Sequence, residues 1–173
     1  QDFQNDWEAM GLESERLMRE VMGEREPAVN EAFIPSEDET ETRRQVATRT
    51  KQQFFRRAVL TSYLHRCCIT GNPIPALLNA SHILPWSDFP KERLNPSNGL
   101  CMARTQDAAF DQYLITLDEA YRLVISKSIR DYFPQQTIRD NFARFEGQRI
   151  ALPERFLPKQ EYLDHHRNRF EAA

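Results

Sequence analysis

The sequence predicts an α+β domain, and three observations lead to this fold class. Residues 80–84 and 99–102 have the pattern of two short strands, separated by a polar loop of about a dozen residues that contains two prolines. A helical pattern follows the second strand directly, over residues 105–113. An amphipathic helix is predicted ahead of the strands, over residues 42–65. We therefore expect a small sheet with helices packed beside it.

The N-terminal part has a different character. Residues 5–22 place apolar side chains at helical spacing, whereas residues 24–40 are acidic, contain two prolines and show no regular apolar period. Basic residues begin immediately afterwards, at Arg43. We expect an N-terminal helix and an acidic linker over residues 1–40, followed by the main domain over residues 41–173.

The remaining segments complete the predicted fold. Residues 67–70 are expected to form a short strand that runs into a turn, and residues 75–78 one helical turn. Two further strand patterns, separated by three residues, predict a β-hairpin. Prolines divide the C-terminal part into short helices. The hairpin strands are predicted at 114–117 and 121–125, and the helices at 127–132, 135–145 and 159–170.

Composition restricts the class of protein. The chain has 173 residues, of which 40% are hydrophobic, and a formal net charge of −3, so a sizeable core is expected and no overall attraction to polyanions. A run of eighteen apolar residues is absent, and residues 1–6 lack the pattern of a signal peptide, which predicts a soluble protein without a membrane partner. Three cysteines cannot form a disulfide framework, so the expected location is the reducing cytoplasm. The three cysteines, Cys67, Cys68 and Cys101, form no Cys-x-x-Cys pair; we expect buried small side chains and consider a structural zinc unlikely on this spacing.

Residues 82–111 contain a set of side chains suited to phosphodiester hydrolysis. His82 has an unperturbed pKa of about 6.5 and can accept a proton near neutral pH. Asp107 and Asp111 lie one helical turn apart and share a face, where two carboxylates would suit Mg²⁺ or Mn²⁺. In contrast, His165 and His166 lie in a polar helical segment and are expected to face solvent.

The order of motifs resembles the HNH nuclease family, in particular the HNH domains of restriction and defence endonucleases. The matching motifs are Cys-Cys-Ile-Thr-Gly at 67–71, His-Ile-Leu-Pro-Trp at 82–86, Asn-Gly-Leu-Cys at 98–101 and Phe-Asp at 110–111, followed by the predicted hairpin. The resemblance covers about residues 45–125. It implies a ββα-metal (HNH) core at about residues 66–125, with an N-terminal helical arm and a flanking C-terminal hairpin and helices.

The resemblance also implies roles for individual residues. His82 would be the general base, and Asn98 would brace the loop and orient the histidine. The third letter of the family motif, usually a metal-binding histidine, falls on Asp107, and the ion would be held by Asp107 and Asp111. Ser81 stands where many members carry an acidic or histidine ligand, which is a second departure. A divalent ion, Mg²⁺ or Mn²⁺, is the implied cofactor.

The implied function is a metal-dependent endonuclease acting on DNA, or the nuclease module of a larger restriction or defence enzyme. RNA remains an alternative substrate. A second hypothesis is a nucleic-acid-binding module with a degenerate, inactive HNH site. A third is a protein-interaction domain that uses its N-terminal helix to form a homodimer or to dock on a partner. Basic side chains are expected to contact phosphates without reading sequence. The candidates are Arg43, Arg44, Arg49, Lys51, Arg56, Arg57, Lys91, Arg93 and Arg104.

Overall fold

The computed structural model describes residues 6–22 and 37–172. The chain divides into two units, Gln1–Phe55 and Arg56–Ala173. Most of the predicted acidic linker lies outside the described residues, and its last four residues are helical. The predicted boundary after residue 40 therefore stays a prediction.

The first unit contains helix α1 (Trp7–Met22), which confirms the helix predicted there. Asp6 caps it, because its carboxylate accepts a hydrogen bond of 3.0 Å from the Ala9 amide. Helix α2 (Glu37–Ser62) begins in the first unit and ends in the second. In the second unit its apolar face buries Val59 and Leu60.

The centre of the second unit is a strand, loop, strand and helix in direct succession. Strands β1 (Leu78–His82) and β2 (Gly99–Ala103) are antiparallel, with His82 opposite Gly99. Helix α3 (Arg104–Asp111) follows β2 without a break and packs on both strands. Every residue of β2 is buried, so the strand lies inside the core. This is the ββα arrangement within an α+β fold that the sequence predicts.

The C-terminal part flanks this centre. Strands β3 (Ile115–Leu117) and β4 (Leu123–Ile125) form the predicted antiparallel hairpin. Helices α4 (Lys127–Arg130), α5 (Gln136–Asn141) and α6 (Gln160–Ala172) follow, and α6 packs on β3. The single helix predicted over 135–145 is interrupted at Phe142, where φ is −133° and ψ is −63°, and resumes as a 3₁₀ turn.

The strand predicted at residues 67–70 is wrong. The segment is a turn, closed by a 2.9 Å hydrogen bond from the Gly71 amide to the Cys67 carbonyl, and Gly71 has a φ of +72° that favours glycine. The helical turn predicted next is confirmed as a 3₁₀ turn over Pro75–Leu77.

The three cysteines are all buried, as expected of small core side chains. The Cys68 amide donates to the Cys101 carbonyl at 2.8 Å, and so attaches this turn to β2. Among the residues that the structure describes, no helix is both long and apolar enough to cross a membrane.

Candidate active site

His82 ends β1 and is half-buried. Its Nε2 lies 2.9 Å from the main-chain carbonyl oxygen of Arg93. A carbonyl oxygen can only accept, so Nε2 must carry the ring proton and donate it. In the neutral ring, the basic lone pair then belongs to Nδ1. The fold thus selects the nitrogen that can accept a proton.

The surroundings also set the protonation state of His82. Burial lowers its pKa below the ordinary histidine value, while the Arg93 carbonyl and the negative charge of Asp107 act in the opposite direction. The net effect is a lowered pKa, so the imidazole is neutral and able to act as a base at pH 7.

Asn98 is buried and braces the loop between the two strands. Its Oδ1 accepts from the Leu84 amide at 2.8 Å, and its Nδ2 donates to the Glu92 carbonyl at 3.1 Å. Its own carbonyl accepts from the Ile83 amide at 2.9 Å. These bonds join both sides of the loop that carries the Arg93 carbonyl, to which His82 donates.

Asp107, in the first turn of α3, is held by two side chains of β1. Its carboxylate accepts from the Ser81 hydroxyl, and its Oδ2 accepts from Asn79 Nδ2 at 2.5 Å. The sequence analysis missed Asn79 and considered Ser81 only as a departure from the usual metal ligand of the family. The signal was present, since two polar residues at alternate positions of a strand share a face.

Asp111 lies one turn further along α3 and is largely exposed. Partial burial and the nearby negative charge of Asp107 raise its pKa above the ordinary aspartate value. The two carboxylates are therefore close enough to repel each other. A bound cation would relieve this repulsion.

The side chains present fit a hard divalent ion with several water ligands. Among residues 6–22 and 37–172, no three His, Cys, Asp or Glu side chains converge on one point. The protein could supply Asp107 and Asp111, which suits Mg²⁺, an ion commonly bound by one or two carboxylates together with waters and substrate phosphate.

Helix α6 forms hydrogen bonds with the loop between β1 and β2. The predicted site did not include α6. The Tyr162 hydroxyl donates to Glu92 at 2.6 Å, and Asn95 Nδ2 donates to the same carboxylate at 2.8 Å. Nearer the helix end, Arg169 Nη2 donates to Asp88 at 3.2 Å. The loop and α6 run in opposite directions along this contact, which we call the loop clamp.

His166 is buried, so the expectation that it faces solvent is wrong. Its ring stacks on Phe110, with ring centroids 3.7 Å apart and planes at 9°. Nε2 donates to the Phe110 carbonyl at 3.0 Å, and Nδ1 accepts from the Thr116 hydroxyl at 2.9 Å. The polar residues around His166 in the sequence suggested an exposed side chain. The ring can be buried nevertheless, because both of its nitrogens form hydrogen bonds inside the core. Its neighbour His165 is half-buried, with its ring edge-on to Phe89 in the loop between β1 and β2.

The basic residues expected to contact phosphate fall into three groups. The side chains of Arg43, Arg44 and Arg49 lie outside the described part of the chain. The guanidinium groups of Arg56 and Arg93 donate to main-chain carbonyls of the protein itself; for Arg56 these are Leu78 at 2.8 Å and Pro75 at 3.2 Å. The others range from half-buried to exposed, and their role stays a prediction; they are Lys51, Arg57, Lys91 and Arg104.

Comparison with known proteins places this site in a family context. Residues 67–118 match the sequence model of a family described as HNH endonuclease. A comparison with curated proteins gives no match. Among solved structures, a modification-dependent TagI restriction endonuclease is similar with a TM-score of 0.48 and 16% identity, over 66% of this chain and 36% of that one. The chain thus spans about a third of that enzyme's length. The family match covers β1, β2, α3 and β3, and confirms the predicted resemblance.

Proposed function

Since residues 67–118 form an HNH endonuclease-type core, we propose that this chain is a metal-dependent endonuclease that hydrolyses phosphodiester bonds of DNA. It would act as a restriction or defence nuclease, or as the nuclease module of such an enzyme. A soluble cytoplasmic location and a homodimer through α1 stay predictions.

One observation supports the proposal: His82 has a lowered pKa and senses the negative charge of Asp107, whose carboxylate is held by two side chains of β1. The Arg93 carbonyl holds the proton on Nε2, so the basic lone pair, which would accept the proton of an attacking water, is on Nδ1. Ser81 and Asn79 hold Asp107 in the first turn of α3. Asn98 keeps the connecting loop in place.

Asp107 and Asp111 would hold the divalent ion, which when bound would supply positive charge to the scissile phosphate and the leaving oxygen. The proton transfer from water would be carried out by a side chain of the protein. His82 takes the proton from water, and its low pKa keeps it ready to do so at neutral pH.

A plasmid nicking assay tests the proposal. Supercoiled DNA should be nicked in millimolar Mg²⁺ or Mn²⁺, and EDTA should stop the reaction. His82→Ala should lower the rate by about 10²–10⁴-fold because the water loses its base, while DNA binding stays nearly unchanged.

His65→Asn is the matched control for the loss of an imidazole. His65 is exposed and has a φ of +53°, a conformation that asparagine accepts, so this variant should cut like the parent protein. An H82A protein that cuts at the parent rate would remove His82 from the mechanism.

The inactive binding module remains the second candidate, favoured by the aspartate at the usual histidine position. It predicts DNA binding with no nicking in any divalent metal. A folded wild-type protein with that behaviour would replace the nuclease proposal.

A further inference from the structure

We propose that Arg93 is a positioning residue for His82 and not a contact to DNA phosphate. The inference rests on the proposed role of His82 as a base. It concerns a side chain that composition alone would assign to the nucleic-acid interface.

The Nε edge of the Arg93 guanidinium donates to its own loop. Nε donates to the Trp86 carbonyl at 2.6 Å, and Nη2 reaches the Ser87 carbonyl at 3.5 Å. The guanidinium carbon lies 5.2 Å from the centre of the Trp86 ring, within the range of a cation–π contact. Binding a phosphate with Nε would require Arg93 to give up its bond to the Trp86 carbonyl.

Trp86 in turn contacts the imidazole. The two rings meet edge to face, with centroids 5.4 Å apart and planes at 81°. The main-chain carbonyl of Arg93 accepts the Nε2 proton of His82. Arg93 therefore reaches His82 by two routes, through its own backbone and through the tryptophan that it holds.

His82, Trp86 and Arg93 thus each contact the other two. The Arg93 guanidinium is bonded to the turn that follows β1, and this bond holds the main-chain carbonyl of Arg93 within reach of His82 Nε2. A neutral side chain of similar length offers a donor to the Trp86 carbonyl but no cation to the indole ring. Lysine offers a cation without the planar fork of donors.

The experiment compares Arg93→Gln and Arg93→Lys with Arg139→Gln. Arg139 is exposed on α5, so its variant loses the same charge away from the loop. Three quantities are measured: kcat at saturating DNA, the dependence of DNA affinity on salt without divalent metal, and the ¹⁵N shifts of the His82 ring nitrogens without DNA.

For Arg93→Gln we expect kcat to fall by about tenfold or more, since small displacements of a catalytic group cost large factors in rate. The slope of log K against log salt should equal that of the parent protein. The ¹⁵N shifts should move from a single Nε2-protonated tautomer toward a mixture of both. Arg93→Lys should lie between Arg93→Gln and the parent, and Arg139→Gln should match the parent in all three.

Two results would overturn the proposal. A salt slope reduced by about 0.9 with an unchanged tautomer would make Arg93 a phosphate contact. An Arg93→Gln protein with the kcat and the ¹⁵N shifts of the parent would show that Arg93 does not position His82. If the parent protein cuts no DNA, the proposed function fails, but the ¹⁵N shifts still decide whether Arg93 sets the state of His82.

Discussion

At the scale of residues, Asp107 shows how an aspartate can stand at a position that usually holds a histidine. Ser81 and Asn79 each donate to its carboxylate and fix its orientation. A carboxylate has about four acceptor sites, so two such bonds leave capacity for a cation. A single imidazole nitrogen could not accept from both donors and also bind an ion.

Replacing Asp107 tests its role as a ligand. Asp107→Ala should abolish cleavage at millimolar Mg²⁺ and weaken Mn²⁺ binding measured by calorimetry, because Asp111 alone remains. Asp107→His should shift the preference among metals toward softer ions such as Ni²⁺ or Zn²⁺.

The control for these variants is Asp140→Ala, an exposed carboxylate on α5. It should leave both cleavage and Mn²⁺ binding as they are. Full Mg²⁺-dependent cleavage by Asp107→Ala would show that the ion is held elsewhere.

The sequence motifs were enough to recognise the resemblance to HNH nucleases. They could not predict which groups form hydrogen bonds with the site residues. Spacing was enough to single out His82, Asn98 and Asp107 as candidates, whose roles stay predictions. The acceptor that sets the tautomer of His82 is a main-chain carbonyl, and any residue at position 93 would carry one. From the sequence, Arg93 could be recognised only as a basic side chain. The sequence does not show that its Nε donates to a main-chain carbonyl of the protein itself.

At the scale of elements, the loop clamp joins parts of the chain that are far apart in sequence. Tyr162 and Glu92 are 70 residues apart, and Arg169 and Asp88 are 81 apart. Local patterns predicted β1, β2, α3 and α6 as separate elements, because strand and helix periods are local signals. The contact between α6 and the loop is a tertiary contact, and the local periodicity of the sequence does not predict tertiary contacts.

Tyr162→Phe tests the loop clamp, because it removes one hydroxyl and keeps the ring. The Glu92 carboxylate loses a donor, which should lower the free energy of unfolding by about 1–2 kcal/mol and reduce kcat several-fold. Chemical denaturation and the nicking assay measure the two effects.

Tyr132→Phe is the matched control, since Tyr132 is well exposed, and it should change neither quantity. A Tyr162→Phe protein with lower stability but an unchanged kcat would show that the clamp supports the fold without affecting His82.

At the scale of the whole molecule, His166 joins three elements in one buried contact. It lies on α6, stacks on Phe110 of α3 and accepts from Thr116 of β3. Burial lowers its pKa to about 4, and the nearby charges of His165, Arg167 and Arg169 act in the same direction. The ring is therefore neutral when the protein is folded at neutral pH.

This burial predicts a loss of stability in mild acid. Between pH about 6.5, the value for an exposed histidine, and pH about 4, the unfolded chain binds a proton at His166 that the folded chain does not. The free energy of unfolding should fall as the pH falls through this window, by at most about 1.4 kcal/mol per pH unit.

Urea denaturation at several pH values measures this dependence. His166→Gln should be less stable than the parent at pH 7 and should show a flatter dependence, whereas His65→Asn should follow the parent curve. An identical slope in His166→Gln and the parent would show that other groups cause the acid sensitivity.

The loop clamp also sets the order in which this part of the chain can assemble during synthesis. A ribosome makes the chain from its N-terminus, so His82 and its loop emerge long before Tyr162 and Arg169. Until α6 has followed, the loop lacks the donors that hold Glu92 and Asp88. A nascent chain that has not yet exposed α6 would thus carry the His82 imidazole in a loop that lacks the Tyr162 and Arg169 donors.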